Sequence, residues 1–196
     1  MKLDLTLKVE RKLLEQLLGS TLQDTTQTIE NLQKSGHVGT HFDVMDKEFS
    51  FKNIITKGKV FDISHIQTGE VKLKDLDLSS VQENDFVMFH SGILKKYDFA
   101  TKEYFVTYIE LSDELVDYLI DKKVSFIGVD MAGVKNQKGH ERIDHYCADR
   151  GVFIIENLDN LDVLLKDAKG NAFTVYTFPV NWHGFSGLPC RTVAEI

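Results

Sequence analysis

The sequence predicts a mixed α/β fold, and three observations predict it. The second half alternates apolar runs of strand length with amphipathic helical segments, a pattern that favours parallel pairing through βα units. The first half carries strands rich in Thr, Lys and Asp, which suit an additional, less buried sheet. Only two prolines occur, Pro179 and Pro189, and no linker, repeat or low-complexity stretch interrupts the chain, so residues 1–196 read as one domain. That length suffices to bury a substantial core.

Taken in order, "LDLTL" at the N-terminus alternates apolar and polar side chains like a strand. "VERKLLEQLLG" places Val9, Leu13, Leu14, Leu17 and Leu18 at helical spacing, with Gly19 as a stop. A polar stretch, "STLQDTTQTIENLQKSG", follows. "KVFDISHI" and "DFVMFHSG" read as buried or half-buried strands. Ser112 or Asp113 caps a helix carrying Leu115, Val116, Leu119 and Ile120 on one side. The strand "VSFIGVD" comes next, then a short helix around "HERIDHYCADRG" and the strand "VFIIE". A helix with Leu158, Leu161, Leu164, Leu165 and Ala168 leads to the strand "AFTVYTFP", and "CRTVAEI" closes the chain as a last strand.

Composition removes several function classes. Charged residues make up 27 % and hydrophobic residues 42 %, a globular balance. The formal charge of −7, with no Lys/Arg cluster, argues against a nucleic-acid footprint. No run reaches membrane-spanning length and the N-terminus lacks a signal-peptide core, so a cytoplasmic location is expected. Cys147 and Cys190 are the only cysteines, too few for a disulfide framework or a thiolate zinc site. The seven histidines, helped by carboxylates, are the candidates for metal chemistry.

His37, His41 and Asp43 stand out by their spacing. On a helix, side chains at i and i+4 lie ~5–6 Å apart at Cβ, which suits the two histidines but turns Asp43 away. On a strand His41 and Asp43 share a face, yet His37 lies ~13 Å from His41 at ~3.4 Å per residue. A bend between them resolves the conflict, and Gly39 tolerates one. The stretch reads as a turn feeding a strand with three polar groups aimed inward; the alternative is a solvated loop. Three protein ligands leave an open position, as a catalytic ion needs. Further on, Glu156 ends the apolar strand "VFII", where active groups of α/β folds tend to sit. A buried carboxylate there would need a cation or a hydrogen-bond partner; an exposed one would only cap the following helix.

These segments together resemble the cyclase family, whose best-known members are bacterial kynurenine formamidases. The family hallmark is H-x-G-T-H-x-D-x-P-x-H, and residues 37–43 read "HVGTHFD". "FIGVD" is similar to the family's strand ending in Gly-x-Asp. "HYCADRGVFIIENL" is similar to its histidine-to-glutamate segment, and "GLPCRTVAEI" to its Gly-x-Pro-x-Arg strand. The resemblance implies a swivelling β/β/α fold with a mixed sheet, in homodimers or larger assemblies. It implies divalent-metal ligands at His37, His41, Asp43, His145 and Glu156, with His140 as the substitute for His145. One or two ions are implied, zinc first and manganese second, consistent with an imidazole and carboxylate set.

The chain departs from the hallmark after Asp43, where Met45 and Lys47 stand in place of proline and the second histidine. In formamidases that histidine acts as general acid/base. Lys47 can replace it only with a lowered pKa, which nearby divalent cations would promote; otherwise Lys47 points to solvent or pairs with Asp46 or Glu48. His90, His140 and His183 are further candidate bases. Phe42, Phe49, Phe51, Trp182 and Phe185 are candidate pocket aromatics or core. The expected activity is metal-dependent hydrolysis of a small amide, formamide, lactam or lactone, an arylformamidase-like reaction on a carbon–nitrogen bond outside peptides. The alternatives are a non-catalytic metal- or ligand-binding protein on the same scaffold and a metal-dependent lyase.

Overall fold

A computed structural model describes residues 1–7 and 35–196. The helix expected over "VERKLLEQLLG", and most of the polar stretch after it, lie outside the described residues. The strands are β1 (Lys2–Asp4), β2 (His41–Asp43), β3 (Ile55–Asp62), β4 (Gly69–Val71), β5 (Phe86–His90), β6 (Ile109–Leu111), β7 (Phe126–Val129), β8 (Phe153–Glu156), β9 (Phe173–Pro179) and β10 (Gly187–Glu195). The helices are α1 (Ile93–Lys96), α2 (Lys102–Val106), α3 (Asp113–Asp121), α4 (His140–Ala148) and α5 (Leu161–Ala168).

The mixed α/β expectation is borne out. The main sheet runs β1-β10-β2-β8-β7-β5-β3-β9, and β9 also pairs with β10, so the hydrogen-bonded order returns on itself. β3, β5, β7 and β8 are mutually parallel; the βα alternation predicts this for β7 and β8, whereas β3, from the Thr-, Lys- and Asp-rich first half, joins the main sheet instead of an additional one. β1, β2, β9 and β10 join antiparallel. A separate parallel pair, β4 and β6, lies outside this sheet.

Period-two alternation divides the core in two. Along β5, Val87 and Phe89 pack with Leu115, Leu119, Ile143 and Cys147 beneath α3 and α4. Phe86 and Met88, on the opposite face, pack with Phe42, Phe126, Ile155 and Val175 where the sheet closes on itself. Ser112 caps α3, its hydroxyl accepting from Leu115 N–H at 3.2 Å. At the carboxyl end of β7, Asp130 accepts from Ser91 N–H at 2.7 Å, Ser91 Oγ at 2.6 Å and Gly92 N–H at 2.8 Å, with His90 Nδ1 at 3.0 Å. The Gly-x-Asp strand end is thus a brace between β5 and β7, and it occupies His90. Both cysteines are free and buried, and no described helix is long and apolar enough to cross a membrane.

Candidate metal centre

The motif enters β2 through a turn at Gly39, whose φ of +71° is the left-handed conformation the spacing called for. Strand alternation then sends His41 and Asp43 to one face and Phe42 to the other, among Phe49, Phe126 and Phe153. The turn brings His37 back to the same point. Its Nδ1 lies 3.1 Å from Asp43 Oδ1, and its ring meets that of His41 edge-on with centroids 4.9 Å apart. His41 Nε2 is 3.5 Å from the same carboxylate oxygen.

The antiparallel pairing of β2 with β8 sets His41 directly opposite Glu156. His41 Nε2 lies 3.5 Å from Glu156 Oε2, and His140 Nε2 lies 3.4 Å from Glu156 Oε1. Two groups of potential ligands result, His37–His41–Asp43 and Asp43–His140–Glu156, each with its ligand atoms within 4.8 Å of one another. Asp43 belongs to both.

The structure thus gathers His37, His41, Asp43 and Glu156, but with His140 in the place expected for His145. The two histidines are five residues apart on α4, so they look to nearly opposite sides of the helix. Ile143, Asp144, Cys147 and Ala148 mark the buried side, and His140 shares it. His145 is in neither ligand group.

Several features fit a cation. His41 Nε2, both Asp43 oxygens, Glu156 Oε1 and Asp144 Oδ1 are buried without a well-formed hydrogen bond among the described residues, a costly state for polar atoms with no other partner. His41 Nδ1 lies 2.8 Å from the Gly39 carbonyl. A carbonyl only accepts, so Nδ1 carries the hydrogen and Nε2 presents its lone pair to the carboxylates. Gly39 O also accepts from Asn157 Nδ2 at 3.0 Å, and the Tyr104 hydroxyl donates to Asn157 Oδ1, which fixes the turn from behind. Ser186 Oγ, 2.9 Å from His37 Nε2, orients the other imidazole. Burial raises the Asp43 carboxyl, but the His41 and His37 imidazoles outweigh it and hold the group low. Burial and the Asp43 carboxylate push Glu156 far up. A cation between the carboxylates would relieve that repulsion.

The centre opens onto a cavity of about 480 Å³, lined by His37, His41, His140 and Glu156 at one end and by Phe99, Phe105, Tyr108 and Ala132 on its apolar walls. A volume in this range admits a small organic molecule. The sequence reading missed the three aromatic residues, which lie on α2 and on the irregular segments flanking it. Of the aromatic candidates read from the sequence, Phe42 and Phe49 pack in the core, while Phe51 and Trp182 are exposed elsewhere.

The family model described as "Putative cyclase" matches residues 3–136. The chain belongs to the cyclase family. Solved structures are similar over 82% to 100% of it. A "predicted metal-dependent hydrolase from Bacillus stearothermophilus" shares 21% identity, over 99% of this chain and 97% of its own, with a TM-score of 0.68. A structure described as a novel cyclase shares 12%, over 100% and 88%, at a TM-score of 0.71. An isatin hydrolase bound to the product analogue thioisatinate shares 17%, over 82% and 72%, at a TM-score of 0.70. No curated protein matches the sequence.

At Lys47, where the cyclase hallmark has histidine, the structure shows the ion-paired alternative. Its Nζ lies 2.8 Å from Asp149 Oδ1 and 2.9 Å from Asp46 Oδ1, and these carboxylates raise its pKa rather than lower it. It lines a second cavity, of about 640 Å³, with Met45, Phe49, Phe178 and Trp182. The exposed His183 lines that cavity too.

A residue the sequence reading did not single out joins this cyclase centre. Asp144 lies one helical turn after His140, its Oδ2 3.3 Å from His140 Nε2. Burial, then the Asp43 carboxylate, push its carboxyl up to about 9. The unfolded chain titrates this group near ~3.9, so between these values the folded, metal-free protein binds the extra proton. The associated stability is full below pH ~4 and is lost as pH rises towards about 9. Metal-free protein should therefore melt at progressively lower temperature across that interval. Asp144→Asn should flatten the profile and raise the melting temperature at pH 8. Calorimetry in chelator checks this; an unchanged slope in the variant would contradict it.

Proposed function

We propose that this chain is a metal-dependent hydrolase of a small amide, formamide, lactam or lactone with an aromatic or otherwise flat apolar body. The observation that carries the reading is a cluster of donors, with His41 Nε2, both Asp43 oxygens and Glu156 Oε1 buried without a well-formed hydrogen bond among the described residues, at the end of a cavity walled by Phe99, Phe105 and Tyr108. A bound divalent ion supplies Lewis acidity, enough to bring the pKa of water from ~15.7 towards ~7. The chain's part is to hold the donors. His41 presents Nε2 because Gly39 O takes its Nδ1–H. His37 is steadied by Ser186, and the aromatic walls position the substrate and thin out water around its carbonyl.

The His37–His41–Asp43 group, with two imidazoles, suits zinc; the more carboxylate-rich Asp43–His140–Glu156 group accepts zinc or manganese. A ligand set sharing Asp43 supports a two-ion centre. The isatin hydrolase among the similar structures supports a cyclic amide as the first substrate to try. Exposed Phe51, Phe178 and Trp182 support the homo-oligomeric assembly implied by the family resemblance. The position of Lys47 favours a second reading, a protein on this scaffold that binds metal or ligand without turnover.

The test combines metal analysis of the purified protein with a hydrolysis screen over isatin, formanilides, lactams and lactones. The hydrolase reading expects bound divalent metal, and turnover that chelation and His41→Ala both abolish. In ¹⁸O-labelled water the product must gain solvent oxygen, which a lyase product need not. Metal without turnover of any class would move the assignment to the binding reading. Absence of metal affinity would overturn both.

A further inference from the structure

The displaced Lys47 leaves the centre without the acid/base group of the family hallmark, and few residues of the cavity offer another polar hydrogen to a substrate. Among the lining residues, His37, His41, His140 and Glu156 belong to the ligand groups. The Asn157 side chain is spent, its amide on Gly39 O and its oxygen on the Tyr104 hydroxyl. Gln137 and Glu141 are exposed at the rim. Tyr108 remains. It is partly buried in the cavity wall, and its hydroxyl makes no hydrogen bond among the described residues.

Its backbone is well held on both sides. Four residues before it, Tyr104 is buried in α2 and anchored on Asn157, the residue that braces the Gly39 turn. Directly after it, β6 begins with buried Ile109, pairs with β4, and donates a further bond from Leu111 N–H to Val134 O at 3.0 Å. Such support is what a group needs in order to meet a reacting atom at a fixed place.

We infer that Tyr108 is a catalytic residue, whose phenol O–H donates a hydrogen bond to the oxygen that gains negative charge when the substrate carbonyl is attacked. The proton stays on the tyrosine throughout, so no covalent or proton-transfer step is added. Burial, then the Glu156 and Glu110 carboxylates, raise the Tyr108 pKa, which keeps the phenol in its donor form at neutral and mildly alkaline pH. This assignment rests on the hydrolase reading above and names the residue that takes over charge stabilisation within it.

The test uses phenylphosphonate, a stable tetrahedral anion with an aryl group for the apolar walls, titrated calorimetrically into zinc-loaded and metal-free protein. Wild type should bind it only when loaded. Tyr108→Phe should bind it about 10-fold or more weakly, in line with the loss of one donor to a charged oxygen, with zinc affinity and melting temperature unchanged. If Tyr108→Phe binds as tightly as wild type, the assignment is overturned while the hydrolase reading stands. If zinc affinity falls together with anion binding, Tyr108 supports the metal centre and the catalytic assignment is equally overturned. If loaded wild type does not bind the anion, the assignment falls together with the hydrolase reading.

Discussion

Asp43→Asn should remove divalent-metal binding from the whole centre, whereas His37→Ala and His140→Ala should each weaken one ion and spare the other. Asp43 alone belongs to both ligand groups, and neither of its oxygens has a well-formed hydrogen bond among the described residues. Asparagine keeps the shape but loses the charge and one acceptor oxygen, so the bridging position fails for both ions at once. Losing the hydrogen-bond partner behind a metal ligand costs about 10–100-fold in affinity, so loss of a shared ligand should exceed about 100-fold. Stability gives an independent readout. A ligand at about 100 times its Kd stabilises a native state by ~2.7 kcal/mol, so wild type should melt higher when metal is added and Asp43→Asn should not respond. Equilibrium dialysis with elemental analysis measures the ions per chain. Two ions retained by Asp43→Asn would show that the two groups do not share this carboxylate.

Both the legible and the illegible parts of this protein have physical causes. β7 and β8 were readable because each is a short apolar segment between helical periodicities. The turn at Gly39 was readable because no regular structure brings residues 37, 41 and 43 together, which leaves glycine as the residue to bend. Glu156 was readable from its place at the end of an apolar run. Closure of the sheet through β9, which pairs with both β3 and β10, was not, because its pairing with β3 joins residues more than a hundred positions apart. The choice between His140 and His145 was open to a finer reading. Ile143 and Cys147, at i and i+4, mark the buried side of α4, and His140 falls on that side at i−3 from Ile143. Phe99, Phe105 and Tyr108 carry no periodic signal, since they belong to a one-turn helix and the irregular chain around it. The sequence left Lys47 open between a place at the centre and a pair with Asp46 or Glu48, and the structure shows the pair with Asp46. Two residues past β2 the chain turns through Met45, at φ +55°, and Lys47 also meets Asp149 at the end of α4, away from the ligand groups.

Two glycines lead to the other large effect, because each leaves the space that one ligand group needs. A Cβ on Gly133 would stand 2.5 Å from His140 Nδ1 and 3.1 Å from Glu156 Oε1, and the residue's φ of +116° is strained for any L side chain. A Cβ on Gly187 would stand 2.7 Å from His37 Nε2 and 2.8 Å from the Gly36 carbonyl. His140 is partly exposed and can swing outward, so Gly133→Ala should fold, at a cost of about 1–3 kcal/mol for the backbone strain. What it cannot keep is His140 beside Glu156. The variant should therefore lose the ion of the Asp43–His140–Glu156 group and with it most activity, while retaining the ion at His37 and His41. Gly187→Ala should do the reverse, and at greater cost to stability, because the Gly36 carbonyl is backbone and cannot rotate away. Manganese titrations followed by electron paramagnetic resonance distinguish the cases, since a paired and a lone ion give different spectra. If both variants lose the same ion, the two groups do not act as separate sites. If neither loses one, the close approach of these glycines to the histidines has no bearing on metal binding.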